Sequence, residues 1–420
     1  MTLRHRKETD GDDSQEGWTL KLPGVAGGVA LAREEFSWPG ARDALPPEAV
    51  GLVRAMTRGA PLEPVATVET ERRRVRLIDG AGRAVAEVDD DWVVAMGADG
   101  RSSRFREIEV EAAEGAPSGL LGAVGARLRE AGATEGSRHP KVFRVLGPKA
   151  EEPPDPVVPA LDRRARLREV ISASIAAGVA ALVEQDPGIR LGGDSEHVHK
   201  ARVATRRLRS DLRTFRPVLD RGWVGRMREE PRWVGAALGA VRDADVLLEE
   251  LRSQGASLPK LDAPAAEALL ARLSSERKAA NERLLTILDS DRYLALLSDL
   301  TAAANDPPLG GPAAEPEATG RLILPRLLAR PARRLRRGVR GLGDDPSDES
   351  LHEVQKCAKD LRYAAEAAVP VLGTPARKLA AAAQELQEVL GGLHDAVVAE
   401  ACFDAVAPAA RRRRHWSPGS

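Results

Sequence analysis

Aromatic side chains make up 3% of this 420-residue chain, cysteine occurs twice, and 63 basic and 63 acidic side chains cancel to a formal net charge of zero. Each scarcity excludes something. Cys357 and Cys402 cannot build a disulfide framework, which fits a reducing cytoplasm. No apolar run is long enough to span a bilayer, and the charged first residues do not read as a signal peptide. With few aromatics there are few platforms for base stacking, and no nucleic-acid reading motif is recognisable. Abundant Ala, Leu and Arg favour packed helices instead, over a length that accommodates two or three domains. The zero balance also hides an asymmetry. Residues 1–160 hold about 22 basic and 27 acidic side chains and the remainder about 41 and 36, so an acidic N-terminal part precedes a basic one.

One motif occurs twice, about 153 residues apart. The first copy, HVHKARVATRRLRSDLRTF, carries His199, Arg202, Arg206, Arg209 and Arg213; in the second, LHEVQKCAKDLRYAAEAA, His352, Lys359 and Arg362 stand at the offsets of His199, Arg206 and Arg209. Some forty residues after each comes a second signature, LGAVRDA around Arg242 and Asp243, then LGGLHDA around His394 and Asp395. Paired signatures in the same order identify an internal duplication. On a helical wheel Val198, Ala201, Ala204, Leu208, Leu212, Phe215 and Leu219 gather on a core-facing arc, and the five basic residues of the first copy fall within roughly 80° beside it. Like charges beside an apolar face repel one another, so the pattern suits a groove whose counter-charge comes from a ligand. Arginine's planar fork matches phosphate oxygens and keeps its charge. A solvated basic face, or pairing with carboxylates such as Asp243 and Asp395 on other helices, is the alternative. A zinc site would want more His or Cys at close spacing.

Residues from about Leu161 to Phe403 resemble the CHAD domain, the conserved histidine α-helical domain, in both halves. The resemblance rests on His199 with Arg202, Arg206, Arg207 and Arg209, on LGAVRDADVL, on His352 with Lys356, Lys359, Arg362 and Tyr363, and on LQEVLGGLHDA. It implies two pseudosymmetric four-helix bundles around a basic surface that binds inorganic polyphosphate. The second copy departs from the first, with Gln355 where Arg202 stands and Glu366 where Arg213 stands. Its lower charge density makes the first helix the expected main anion contact.

Proline and glycine mark the boundaries. Glu151–Pro159 reads as a stiff linker, AANDPPLGGPAAEPEATG separates the helical halves, and the tail with Arg411–Arg414 reads as disordered. Amphipathic helices are expected at Arg163–Glu184, His197–Leu219, Trp223–Leu251, Pro264–Leu288, Tyr293–Ala304, Leu322–Val339, Leu351–Leu372 and Pro375–Cys402.

The first 146 residues alternate with period two in GWTLKLPG, ETERRRVRLID, GRAVAEVDDDWVVAM and SSRFREIEVEAA. Successive strand side chains point to opposite faces, so Glu107, Glu109 and Glu111 project together, as do Arg72, Arg74 and Arg76. Facing across a barrel interior, such rows would hold a divalent metal and a phosphate chain; a salt-bridged exposed sheet face is the alternative. GWTLKLP with Lys21, then Arg33, the Arg72 and Arg74 strand, AEVDDDWV with Glu87, REIEVE with Glu107 and Glu109, and SRHPKVFRVLG with Lys141 resemble the C-terminal part of the CYTH domain of triphosphate tunnel metalloenzymes. The resemblance implies Mg²⁺ or Mn²⁺ on strand glutamates, basic side chains on a triphosphate, and metal-assisted attack of water. The family's opening Glu-x-Glu-x-Lys strand is absent, through degeneracy or a start codon assigned too far downstream.

The expected architecture is α+β multidomain. An incomplete antiparallel CYTH-like β-barrel over 1–147 and a linker over 148–160 precede an all-α CHAD-like domain over 161–404, of two pseudo-repeated four-helix bundles with halves 161–300 and 321–404, and a basic tail over 405–420. The expected function is cytoplasmic binding of inorganic polyphosphate or triphosphate through His199, Arg202, Arg206, Arg207, Arg209, Arg213, His352, Lys356, Lys359 and Arg362. In the β-domain Lys21, Arg33, Arg72, Arg74 and Lys141 are the phosphate candidates, and Glu87, Glu107 and Glu109 the metal candidates for a Mg-dependent triphosphatase. Two rival classes are a nucleic-acid binder and a scaffold docking acidic proteins or polyphosphate granules.

Overall fold

The computed structural model describes residues 1–10, 13–23, 33–136, 140–192, 194–255, 263–310 and 318–391. His394, Asp395 and the Arg411–Arg414 tail lie outside these residues. The chain forms two compact units, Met1–Ala60 with Asp155–Ser420 and Pro61–Pro154.

The first unit opens with an antiparallel sheet of β1 (Thr2–Asp10), β2 (Asp13–Pro23) and β3 (Arg33–Pro39), in that order. Leu20 and Leu22 alternate inward with Leu3, Phe36 and Trp38 and meet Leu52 and Val53 of helix α1 (Pro47–Thr57). Sequence periodicity marks only β2 as a strand, because β1 is mostly charged and the alternation of β3 is confined to Phe36 and Trp38. Helix α1 starts at a proline and ends on Arg58, at φ 52°, followed by Gly59, at φ 79°. A side chain at Gly59 would come within 2.8 Å of Leu294.

The second unit carries β4 (Ala66–Ile78), β5 (Ala84–Gly97) and β6 (Ser102–Ala112), antiparallel in the order β4-β5-β6, with α2 (Leu120–Glu130) and the single turn α3 (Phe143–Leu146). The Asp79 carboxylate closes the first hairpin by accepting from the backbone of Ala81 and Arg83, 2.9 Å each. Among the described residues the six strands form two separately hydrogen-bonded sheets. The strand rows expected to face one another across a barrel therefore occupy the outer strands of one sheet, with β5 between them.

The rest of the first unit is helical: α4 (Leu167–Leu191), α5 (Ser195–Phe215), α6 (Arg221–Met227), α7 (Glu230–Gly255), α8 (Ala263–Leu288), α9 (Asp291–Asn305), α10 (Gly320–Arg340), α11 (Asp348–Leu372) and α12 (374–391). The helix expected over Trp223–Leu251 is broken at 228–229, where Pro231 supplies a donorless first turn to α7. On α5, Asp194 caps the first turn by accepting from the Glu196 N–H at 2.8 Å, and Val198, Ala201, Ala204, Leu208, Leu212 and Phe215 are all buried. The stripe read from the wheel is the stripe that packs. Gly178 of α4 lets α5 approach, since a Cβ there would lie 2.5 Å from the Leu208 side chain. One apolar core runs through α4, α5, α7, α9, α10 and α11. No described helix is long and apolar enough to cross a membrane.

Candidate anion-binding site

Packing of α5 sorts its basic residues into two groups. Arg202 donates to Asp243 of α7 at 2.6 Å, and Arg207 reaches Glu366 of α11 at 2.8 Å. Arg206 and Arg209 are half-buried and have no ion-pair partner among the described residues. Burial and the guanidiniums of Arg213, Arg232 and Arg206 hold Arg209 below the ordinary arginine pKa, an effect that Asp360 partly offsets. Cations are here held together before any anion arrives.

A pocket of about 170 Å³ opens beside this cluster, lined by Arg209, Leu212, Arg213, Arg228, Glu229 and Arg232. Among the described residues four guanidiniums meet a single carboxylate there, and Glu229 already accepts from Arg232 at 3.4 Å. Arg228 lies in the break between α6 and α7 and Arg232 in the first turn of α7, and both line the pocket beside α5. Beside Leu212 the arginines have an apolar wall that limits hydration of their charge.

On α11, Arg362 lies 3.5 Å from Glu366 and stacks its guanidinium over Tyr363 at 4.7 Å from the ring centroid. Lys356 turns to its own helix neighbour Glu353 at 2.7 Å. Lys359 and His352 are half-buried on α11, and His199 is half-buried on α5. The histidine of the first motif with a side-chain hydrogen bond is His197, whose Nδ1 lies 2.9 Å from Oε1 of Gln185. Asp360 accepts from Arg213 and, at 3.3 Å, from Arg334 of α10, tying three helices at one carboxylate.

Asp211 does not line this pocket. It is buried, neither carboxylate oxygen has a hydrogen-bond partner among the described residues, and burial pushes its pKa up to about 8 against the pull of Arg207.

In the second unit the register aligns Arg72, Arg74 and Arg76 of β4 with Asp91, Asp89 and Glu87 of β5, and these with Glu107, Glu109 and Glu111 of β6. The rows neutralise one another. Arg72 donates to Asp91 at 2.7 Å, Arg74 to Asp89 at 2.9 Å and Arg76 to Glu87 at 2.9 Å, and Lys141 bonds Asp91 while lying 3.5 Å from Glu109 and 4.0 Å from Glu107. Burial pushes the Asp91 carboxyl up, but the hydrogen bonds from Arg72 and Lys141 outweigh it and hold it below the usual range. In the first unit Lys21 is likewise paired, with Glu35 at 2.7 Å, and Arg33 opens β3 with its side chain outside the described residues. Among the described residues no three acidic, histidine or cysteine side chains gather as metal ligands. With Glu87 on Arg76, and Glu107 and Glu109 beside Lys141, the donor set does not fit a divalent ion.

Several residues of both clusters escape a reading of the sequence. Asp89 and Asp91 share the parity of Glu87 in EVDDD, which would have grouped them. Arg326, Arg330, Arg334 and Arg337 repeat at helical spacing in α10, which holds eight arginines and no carboxylate. Arg228 and Arg232 carry no such signal, because a helix break lies between them.

The CYTH domain family matches residues 1–140 and the CHAD domain family residues 173–404. The uncharacterized proteins MT2285 and Rv2226, from two strains of Mycobacterium tuberculosis, are each 30% identical over 433 residues, spanning 95% of this chain and 77% of their own length. Similar solved structures include the CHAD domain from the plant Ricinus communis, at 27% identity and TM-score 0.49 over 61% of this chain and 84% of that one. PptA from Streptomyces chartreusis is similar at 26% identity and TM-score 0.45, over 56% and 87%.

Proposed function

This chain belongs to the proteins that join a CYTH domain to a CHAD domain, and from that premise we propose that its helical unit binds inorganic polyphosphate in the cytoplasm. The observation that carries the reading is Arg209, half-buried, without an ion-pair partner among the described residues, and crowded by Arg213, Arg232 and Arg206. A linear polyanion relieves that repulsion by placing successive phosphates against successive guanidiniums. Arg206, Arg209, Arg213, Arg228 and Arg232 form the primary contact; Lys359 and Arg362 extend it along α11, and Arg202 and Arg207 hold the neighbouring helices. Protein carboxylates of an interaction partner would satisfy the charge less well, since forked bonds at close spacing suit a phosphate chain.

CYTH domains are generally metal-dependent, but the charged grid of the second unit takes up its own carboxylates, and no hydrolytic step is assigned to it.

Binding of long-chain polyphosphate to the full chain, beside an Arg206→Ala/Arg209→Ala variant, tests the reading. The variant is expected to lose about tenfold or more in affinity at physiological salt. Equal binding by both proteins would refute it and favour a scaffold that docks elsewhere.

A further inference from the structure

A second and larger pocket, of about 520 Å³, lies between α5, α10 and α11, and its walls differ in chemistry from the first. Ile323, Leu327, Pro217 and Pro331 make it largely apolar, while Arg213, Arg326, Arg330, Arg333 and Arg334 stand around it. Among the described residues Asp360 is the one carboxylate lining it, and Arg213 and Arg334 already occupy it. Arg326 and Arg330, one helical turn apart, have no ion-pair partner among the described residues. Arg213 lines both pockets.

A bare phosphate chain has no use for apolar walls. A ligand that fills this pocket needs an anionic part for the arginines and a compact, uncharged body for the rest. Two aliphatic side chains are too few to bury an acyl chain. Two proline rings supply apolar C–H faces and the guanidiniums supply planes, and a planar heterocycle packs against both. The volume falls within the roughly 300–1,000 Å³ of small-molecule sites.

We propose that this pocket is a second ligand site, specific for a nucleoside polyphosphate: phosphates on Arg326, Arg330 and Arg213, and the base against Pro217, Leu327 and Pro331. The site differs from the polyphosphate site in ligand and in most of its residues, and shares Arg213 with it.

Calorimetric titration of the full chain carrying Arg206→Ala/Arg209→Ala, which weakens the first pocket, with ATP and with inorganic tripolyphosphate, both in EDTA, tests the proposal. ATP is expected to bind at least about tenfold more tightly than tripolyphosphate, because only ATP uses the apolar wall. Arg326→Ala/Arg330→Ala, at exposed positions and with an unchanged melting temperature, is expected to weaken ATP by about tenfold or more. Arg206→Ala/Arg209→Ala is expected to leave ATP within about threefold whatever it does to long-chain polyphosphate, so the two readings fail separately. Tripolyphosphate matching ATP, ATP binding that survives loss of Arg326 and Arg330, or ATP binding lost with Arg206 and Arg209 would each overturn the proposal. So would capture by phosphatidylserine vesicles through Arg326 and Arg330 in the absence of ATP binding.

Discussion

Arg206 and Arg207 are neighbours in sequence and opposites in environment. One turns into a field of like charges, and the other spans to Glu366 on a helix 159 residues away in sequence. Between the two roles sits Asp211, whose buried carboxyl keeps its proton to about pH 8, against 3.8 for an ordinary aspartate. The folded state therefore binds one more proton than the unfolded state between these values. Stability from this group is fully present below about pH 4 and lost as pH rises toward 8. Asp211→Asn cannot ionise, so its melting temperature is expected to fall less over that window and to exceed the parent's by about several degrees at pH 9. Parallel melting curves for parent and variant from pH 4 to 9 would show that the proton is not held there.

At the scale of elements, α5 is placed by one glycine and restrained by one carboxylate. Gly178→Val puts methyl groups into the space that Leu208 fills, and is expected to cost about 1–3 kcal/mol in a denaturant titration. An unshifted midpoint would mean that α4 and α5 part without penalty. Asp360 is the restraint: it accepts from Arg213 and Arg334 and lowers the positive potential at both pockets. Asp360→Asn is expected to raise affinity for long-chain polyphosphate by about three- to tenfold while lowering the melting temperature. A drop in affinity would show that the carboxylate serves the ligand by holding the arginines in place. Periodicity exposed α5 well because its apolar arc packs inward and leaves the basic arc at the edge. It was silent on β1, where charged side chains carry no alternation, on β3, whose alternation is confined to Phe36 and Trp38, and on Arg228 and Arg232, which the end of α6 and the start of α7 bring to one pocket.

For the whole molecule, the formal net charge of zero conceals a division between neutralised and unneutralised arginines. In the second unit Arg72, Arg74, Arg76 and Lys141 already have carboxylate partners, and a divalent ion would have to displace them. Adding Mg²⁺ or Mn²⁺ is expected to leave tripolyphosphate uncleaved and the melting profile unchanged; phosphate release dependent on Glu107 and Glu109 would overturn this. In the helical unit the guanidiniums outnumber their partners at both pockets, and polyphosphate binding is expected to weaken steeply with salt.

What the amino-acid sequence determined by itself was local: the duplication, the basic arc beside the core of α5, the alternation of β4 to β6 and the families these patterns resemble. Each follows from the period of a helix or a strand, which is written in adjacent residues. Which cations remain unpaired was decided only by the tertiary structure. Arg72 and Arg209 look alike in the sequence, yet one lies across from Asp91 and Asp89 and the other faces three further guanidiniums. Coulomb energy depends on distances between side chains far apart along the chain, and no local period encodes those distances.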